Sequence, residues 1–292
     1  MKIGAVVPHD EIGTDPGAIE AYARGAEELG VHHLMIYDHV LGADRDRPGG
    51  FVGPYDKDVA FHDPFVFYGF LAAVTSRVEL ITAVLILPQR QTVLAAKQAA
   101  EVALLSRNRL RLGIGVGWNT VEYDGLNEEF TTRGRRQEEQ VDLMRRLWAE
   151  DSMSYDGEFH RFEKASILPR PSQQIPILFG GSAPALIDRC ARVGDGWIPL
   201  GTPNEKSADR LADIRRIRGE HGLSMDGFDI YAQAQYAGGD PDRWRAHAAA
   251  WSELGATHIA IATHNAGPTD VDGHLARIVE YQEALAGQTG GS

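Results

Sequence analysis

The sequence predicts an α/β protein built as a (β/α)8 TIM barrel, with insertions after strands two and four and before strand five. Three observations predict it. Short, nearly continuous apolar runs alternate with longer, Ala-rich, charged stretches of helical spacing. Unbroken apolar runs of this kind read as parallel strands buried on both faces, and their alternation with helices reads as repeated βα units. There are eight such pairs, and 292 residues suit one barrel of ~250 residues plus loops. A doubly wound sheet is the structural alternative, but the first strand leads into PHDEIGTDPG, which has no G-x-G-x-x-G.

The strands are expected near 2–7, 32–37, 78–87, 109–116, 175–179, 196–200, 228–235 and 257–262. The helices are expected near 15–29, 63–76, 91–106, 132–150, 183–193, 204–221, 240–254 and 270–286. Asp15-Pro16, Asp63-Pro64, Asp240-Pro241 and Ser182-Ala183-Pro184 place an N-cap with proline in or near the first turn. Gly30, Gly222 and Gly255 stand just past helix ends. In the fourth helix Val141, Met144 and Trp148, with Leu143 and Leu147, make a broad apolar stripe. Residues 1–286 read as one barrel domain and 287–292 (GQTGGS) as a flexible tail. The insertions cover 38–62, 117–131 and 151–174. The first two fall on the C-terminal face, where barrel active sites lie. The third, around Tyr155-Asp156-Gly157-Glu158, reads as a hairpin on the opposite side or flank.

The charge balance is 29 basic against 41 acidic residues, a net −12. That speaks against nucleic acid and anionic membranes as partners, because both demand a basic face. One cysteine, Cys190, allows no intrachain disulfide and no cysteine metal cluster, and fits a reducing cytoplasm. The apolar stretch from Ile3 to Val7 is too short for a signal segment, and no apolar run reaches the ~18 residues of a membrane span.

In a barrel, the residues just after each strand share one mouth. Here they include His9-Asp10, Asp38-His39, Pro88-Gln89, Trp118-Asn119, Gly180-Gly181-Ser182, Gly201-Thr202, Gln235-Tyr236 and Thr263-His264-Asn265. Histidines, amides and a tryptophan converging there make a polar pocket with an aromatic wall. His39 is the candidate catalytic residue, since an imidazole gives or takes a proton near neutrality. Asp38 either orients a neighbouring group or caps the loop. Gly180-Gly181-Ser182, between a strand and a helix, would aim backbone N–H groups and the helix dipole at a phosphate; the competing reading is a tight turn with Ser182 as N-cap. Gly113, Gly115 and Gly117 clear one strand face, either for a flat ligand or for packing in the tapered barrel. Arg133, Arg135 and Arg136 read as a solvated helix face paired with Glu138, Glu139 and Asp142, or as a contact for an anionic tail.

With these residues in view, the chain resembles the bacterial luciferase-like flavin and deazaflavin oxidoreductases, most closely the actinobacterial branch that uses coenzyme F420. The resemblance runs over almost the whole chain and is carried by IYDHV (36–40), HDPF (62–65), ITAVLILPQRQ (81–91), LAAKQAAEVALLS (94–106), RLRLGIGVGWNTVEY (109–123), RGRRQEEQVDLMRRLW (133–148), ILFGGSAP (177–184) and ARVGDGWIP (191–199). It implies that His39 faces the isoalloxazine or deazaflavin ring as proton donor or hydrogen-bond partner. It implies a non-prolyl cis peptide at Ala83-Val84 whose bulge backs the ring, and a phosphate loop at Gly180, Gly181 and Ser182. Asp38, Trp118 and Asn119 fall beside the same cofactor. Trp118 stands where some deazaflavin dehydrogenases carry a catalytic glutamate, which points to an aromatic wall, with Glu122 only a distant candidate acid. Leu200-Gly201-Thr202-Pro203 matches poorly the segment that binds a sugar phosphate in one branch. A homodimer built through outer helices is also implied.

The reading is therefore hydride transfer between F420 and a small or medium organic substrate, walled by Trp118 and by Phe51, Tyr55 and Phe61 of the 38–62 loop. The alternative is an FMN-dependent monooxygenase on the same architecture. Two further classes are a metal-dependent hydrolase using His9, Asp10, His39 and His264, and a non-catalytic flavin-binding relative. No metal site is assigned.

Overall fold

The computed structural model describes residues 1–267 and 270–287. The tail expected over 287–292 lies outside the described residues beyond Gly287. The chain runs β1 (Lys2–Val6), α1 (Pro16–Glu28), β2 (His33–Ile36), α2 (Pro64–Val74), β3 (Glu79–Thr82), β4 (Leu85–Ile86), α3 (Thr92–Leu105), β5 (Leu110–Gly115), α4 (Thr120–Gly125), α5 (Arg133–Ala149), β6 (Met153–Asp156), β7 (Arg161–Ala165), β8 (Ile177–Gly180), α6 (Pro184–Val193), β9 (Gly196–Ile198), α7 (Glu205–Glu220), β10 (Asp229–Gln235), α8 (Pro241–Glu253), β11 (His258–Ala262) and α9 (Val271–Ala286).

Parallel pairing runs β1–β2–β3–β5–β8–β9–β10–β11 and returns to β1, so the sheet closes into an eight-stranded barrel. The predicted barrel is present. Its third strand, expected from periodicity as one run over 78–87, is two pieces, β3 and β4, separated at Ala83-Val84, where the peptide is cis as the resemblance implied. β4 pairs only with β5. Around the break, Ala83 N–H still donates to Ile36 O (2.8 Å), and Thr82 Oγ1 donates to Gly113 O (2.6 Å).

The caps act as the sequence suggests at three helices. Asp15, Asp63 and Asp240 accept first-turn N–H groups, each with proline at the helix start. At α6 the cap residue is Ala183, with no side-chain cap bond, so Ser182 is not the N-cap. The stripe on α5 is buried, and Trp148 Nε1 donates to Ala96 O of α3 (3.0 Å). The β6–β7 hairpin lies on the flank: the Glu139 carboxylate of α5 accepts the N–H groups of Glu158, Phe159 and His160 at its tip.

The basic clusters pair across elements and not along one helix face. Arg135 pairs with Glu158, Arg136 with Glu128, and Arg111 with Glu79. Arg109 donates to Ser106, Thr75, Val78 and Ala72, tying the end of α2 to the start of the sheet.

Two apolar layers result. One fills the space between sheet and helices. The other fills the barrel interior with Val6, Met35, Ile81, Leu178, Ile198, Tyr231, Ala260 and Ala262, and carries Tyr37, Ala83 and Val84 partly buried against it. The strand glycines serve this packing. A Cβ on Gly113 would lie 1.9 Å from Thr82 O; one on Gly115 would lie 2.5 Å from Val84 Cγ2, and one on Gly180 2.4 Å from Val84 Cγ1. The cleared space belongs to the break in strand three and not to a ligand.

Gly113→Ala should therefore cost about 1–3 kcal/mol or more, because backbone must move. Gly69→Ala, where a Cβ in α2 would meet nothing within 4 Å, should gain about 0.5–1 kcal/mol. Urea unfolding of both variants checks this; equal midpoints would refute it.

Candidate active site

Strand alternation distributes Tyr37, Asp38 and His39 to three tasks. Tyr37 turns into the mouth, where its hydroxyl donates to Gln233 Oε1 (3.2 Å) and its ring stacks on His264. Asp38 turns away and is 3% exposed. Its Oδ2 accepts Ile86 N–H (2.8 Å), and its Oδ1 accepts Arg90 Nη2 (2.7 Å). Arg90 also bonds Asp63, the N-cap of α2 (3.0 Å). Asp38 was expected beside a cofactor; both its oxygens are instead spent bracing β4.

His39 stands at the rim with Nδ1 3.1 Å from Glu122 Oε1. Glu122 is 1% exposed and projects from α4. Its Oε1 also accepts Val40 N–H (2.9 Å), and its Oε2 accepts Gln89 Nε2 (3.3 Å). Burial pushes this carboxyl up, but the His39 ring, Gln89 and the Val40 N–H outweigh burial, and it lies below the usual glutamate range. Glu122 is thus an anion at neutral pH and can only accept. Nδ1 must then be the protonated nitrogen of the neutral imidazole, and Nε2 the atom free to take a proton.

Sequence reasoning underrated Glu122 because 117–131 reads as loop. The signal was there in Asn119-x-x-Glu122, an N-cap with an acid three residues on. Asn119 is that cap: its Oδ1 accepts Val121 N–H (3.1 Å), and the residue also lines the small space beside His39.

Aromatic rings close around His39. Phe61, Tyr55 and Trp118 have ring centroids 4.7, 5.1 and 5.9 Å away, and Phe51 lies 6.0 Å from Trp118. The enclosed space beside His39 is about 70 Å³. A larger cavity, about 450 Å³, opens beyond β9 and β10 and is lined by Thr202, Gln233, Gln235, Arg243 and His247.

On the other side of Phe61 stand His9, Asp10 and His264. His264 Nε2 lies 3.0 Å from Asp10 Oδ1. His39 is not part of this group, so the four-residue metal-ligand set imagined for a hydrolase is divided, with His39 committed to Glu122.

The Gly180–Ser182 turn was tested as an anion cradle. Gly181 has φ +127°, its N–H donates to Ile198 O (3.1 Å), and its carbonyl accepts Trp197 Nε1 (2.8 Å). That N–H is consumed, so a cradle must begin at exposed Ser182 and the uncapped start of α6. Two arginines fit the same purpose. Arg189 of α6 reaches Gly134, next to Arg133, whose guanidinium lies 3.7 Å over the Phe130 ring. Among the described residues neither forms an ion pair, and the buried Nε of each has no partner. Arg133 Nη1 donates to Phe130 O (2.7 Å), and Glu138 and Asp188 lie near Arg189.

Comparison with known proteins gives the family and the fold. The luciferase-like monooxygenase family profile matches residues 1–289. An uncharacterized protein of Mycobacterium tuberculosis is 36% identical over 71% of this chain and 77% of its own. The F420-dependent glucose-6-phosphate dehydrogenase of Amycolatopsis mediterranei is 30% identical over 72% and 61%, and the FMNH2-dependent dimethylsulfone monooxygenase of Pseudomonas fluorescens 35% over 53% and 43%. The crystal structure of a Streptomyces bottropensis monooxygenase superposes with a TM-score of 0.82 at 22% identity over 99% of this chain and all of that one, which shows the shared fold.

One measurable consequence concerns His9. Burial pushes its imidazole down from 6.5 to about 4. The unfolded chain takes up this proton near pH 6.5 and the folded chain only near pH 4, so the unfolded state holds more protons in between. Stability should then fall as pH drops through that window, by on the order of 1–3 kcal/mol for this residue. His9→Gln should flatten that part of a urea-derived pH profile; an unchanged slope would contradict it.

Proposed function

The chain belongs to the luciferase-like monooxygenase family of flavin- or deazaflavin-dependent enzymes, and on that footing we propose that it is an F420-dependent oxidoreductase acting on a small or medium organic substrate. The observation that carries the reading is the His39–Glu122 pair at the rim, beside the mouth whose floor Tyr37, Ala83 and Val84 form. Val84 would back the planar ring. Ser182, the start of α6, Arg133 and Arg189 would hold its phosphate and tail. Two cations without carboxylate partners suit a tail with more than one anionic group, which favours the deazaflavin cofactor over FMN. When bound, F420 supplies two-electron hydride chemistry at its ring.

This chain's residues would do the rest. His39 Nε2 would exchange the proton that balances the hydride, while Glu122 holds Nδ1–H and offsets the charge when the ring is doubly protonated. Trp118, Phe51, Tyr55 and Phe61 would wall the substrate and exclude water. FMN is the second reading, favoured by the 35% identity to an FMNH2-dependent monooxygenase.

Exposed Val66 and Phe70 of α2 and Val93 and Leu94 of α3 are the apolar surface that a homodimer would cover. Light scattering should give twice the 32.0 kDa chain mass; the chain mass itself would rule the dimer out. No helix among the described residues is long and apolar enough to cross a membrane.

Parallel titration with F420 and FMN should show tighter binding of F420, and tighter FMN binding would transfer the assignment to the second reading. His39→Ala should hold F420 affinity within about tenfold while lowering turnover by roughly 10²–10⁴. Glu122→Gln should lower turnover by less, and the double variant should be no worse than His39→Ala alone. Unchanged turnover in His39→Ala would remove its assigned role.

A further inference from the structure

The barrel's other end, where the strands begin, holds a cluster that the proposed reaction does not use. His32 precedes β2, Glu79 opens β3 and His258 opens β11. One potential ligand atom from each of the three lies within 4.8 Å of the others. We propose that His32, Glu79 and His258 bind a divalent transition-metal ion of the zinc or cobalt class, clamping the starts of three barrel strands.

The hydrogen bonds prepare each ligand atom. His258 is 2% exposed, and its Nε2 is buried without a partner. Its Nδ1 lies 2.7 Å from Thr257 Oγ1, which already donates to Ile230 O (3.2 Å). With its proton so committed, Thr257 can only accept from His258, which places the ring proton on Nδ1 and the free lone pair on Nε2. His32 Nδ1, also without a hydrogen-bond partner, lies 3.9 Å from Glu79 Oε2. Arg111 donates to the other oxygen, Oε1, at 2.8 Å, and the Tyr231 hydroxyl donates to Oε2 at 3.4 Å, a long contact that a bound ion would displace. The His32 and His258 ring centroids are 5.2 Å apart. Two imidazoles on one tetrahedral ion, with metal–nitrogen bonds of ~2.0–2.1 Å, give a spacing of about 5 Å.

Access and ligand chemistry are compatible with an ion, which would have to outweigh the neighbouring positive charge. Lys2, Arg111 and the N-terminal amino group repel a cation here, and Glu79 and Asp229 oppose them. The His32 side chain is 31% exposed, which leaves a path from solvent. Two imidazole nitrogens and one carboxylate oxygen select zinc-like ions over Mg²⁺ or Ca²⁺, which prefer all-oxygen sets. His33 walls the inner side, fully buried with neither nitrogen bonded.

The test uses chelator-treated full-length protein titrated with Co²⁺, followed by its visible d–d absorbance, and with Zn²⁺, followed by the melting temperature. Wild type should bind about one equivalent of Co²⁺ with tetrahedral-type absorbance, and Zn²⁺ should raise its melting temperature reversibly to chelator. His32→Ala, a partly exposed site whose loss leaves the core intact, and Glu79→Gln should each weaken binding by tenfold or more, on the order seen for disturbed metal sites. Asp10→Asn, in the separate His9–Asp10–His264 group at the mouth, should bind as wild type does. Absence of binding by wild type would overturn the proposal, as would unchanged binding in both His32→Ala and Glu79→Gln. Loss of binding in Asp10→Asn alone would place the ion at the mouth and would equally overturn it. None of these readouts depends on F420 or on turnover.

Discussion

The mouth depends on one buried carboxylate. Asp38 receives the Ile86 N–H and the Arg90 guanidinium, and Arg90 in turn reaches the cap of α2. β4 has a strand neighbour on one side only, so the Asp38 bond to Ile86 replaces the ladder bond that a second neighbour would supply. Removing one partner of a buried pair of this kind typically costs about 3–5 kcal/mol, because the other charge is left without compensation. The brace also fixes its neighbours in the chain. With Asp38 pointing outward, Tyr37 must face the mouth and His39 must emerge at the rim.

A second carboxylate sets the chemistry at the rim. Glu122 is as buried as Asp38, yet it remains ionised because it collects donors from Val40, Gln89 and His39. Across Phe61, Asp10 and His264 make a similar contact in a wetter setting, with 24% of the Asp10 side chain exposed. The two pairs are therefore not equivalent. A buried partner holds an imidazole tautomer more firmly than a solvated one, because water competes less for its lone pairs. That difference favours His39 over His264 for the proposed proton exchange.

The fold was legible where the cause was local. Parallel strands buried on both faces must be apolar throughout, and Asp-Pro pairs must start helices, so strands, helices and caps could be read in order. The site was legible only in part, because its logic is tertiary. Periodicity alone cannot show that a continuous apolar run such as 78–87 breaks, since the break depends on where Val84 lands relative to Gly115 and Gly180; only the family resemblance pointed to Ala83-Val84. Gly113 and Gly115 announced empty space but not what fills it. Asp38 was placed correctly along the chain, and its hydrogen bonds to Ile86 and Arg90 turned it away from the expected ligand. Glu122 shows the converse: a short helix hidden in a long insertion carried the side chain that His39 needed.

Net charge illustrates the same limit in electrostatic form. A total of −12 argues against a polyanionic partner, which needs many cations along one face. It says little about a single anion at one end of the mouth. At physiological salt the screening length is about 8 Å, so most of the 41 acidic side chains lie beyond its reach, whereas a guanidinium in contact does not. In a chain with more carboxylates than cations, every arginine near an acid is readily paired, as Arg111, Arg135, Arg136 and Arg192 are. Among the described residues Arg133 and Arg189, which lie side by side, form no ion pair, and that leaves their charge available to the anionic tail proposed above.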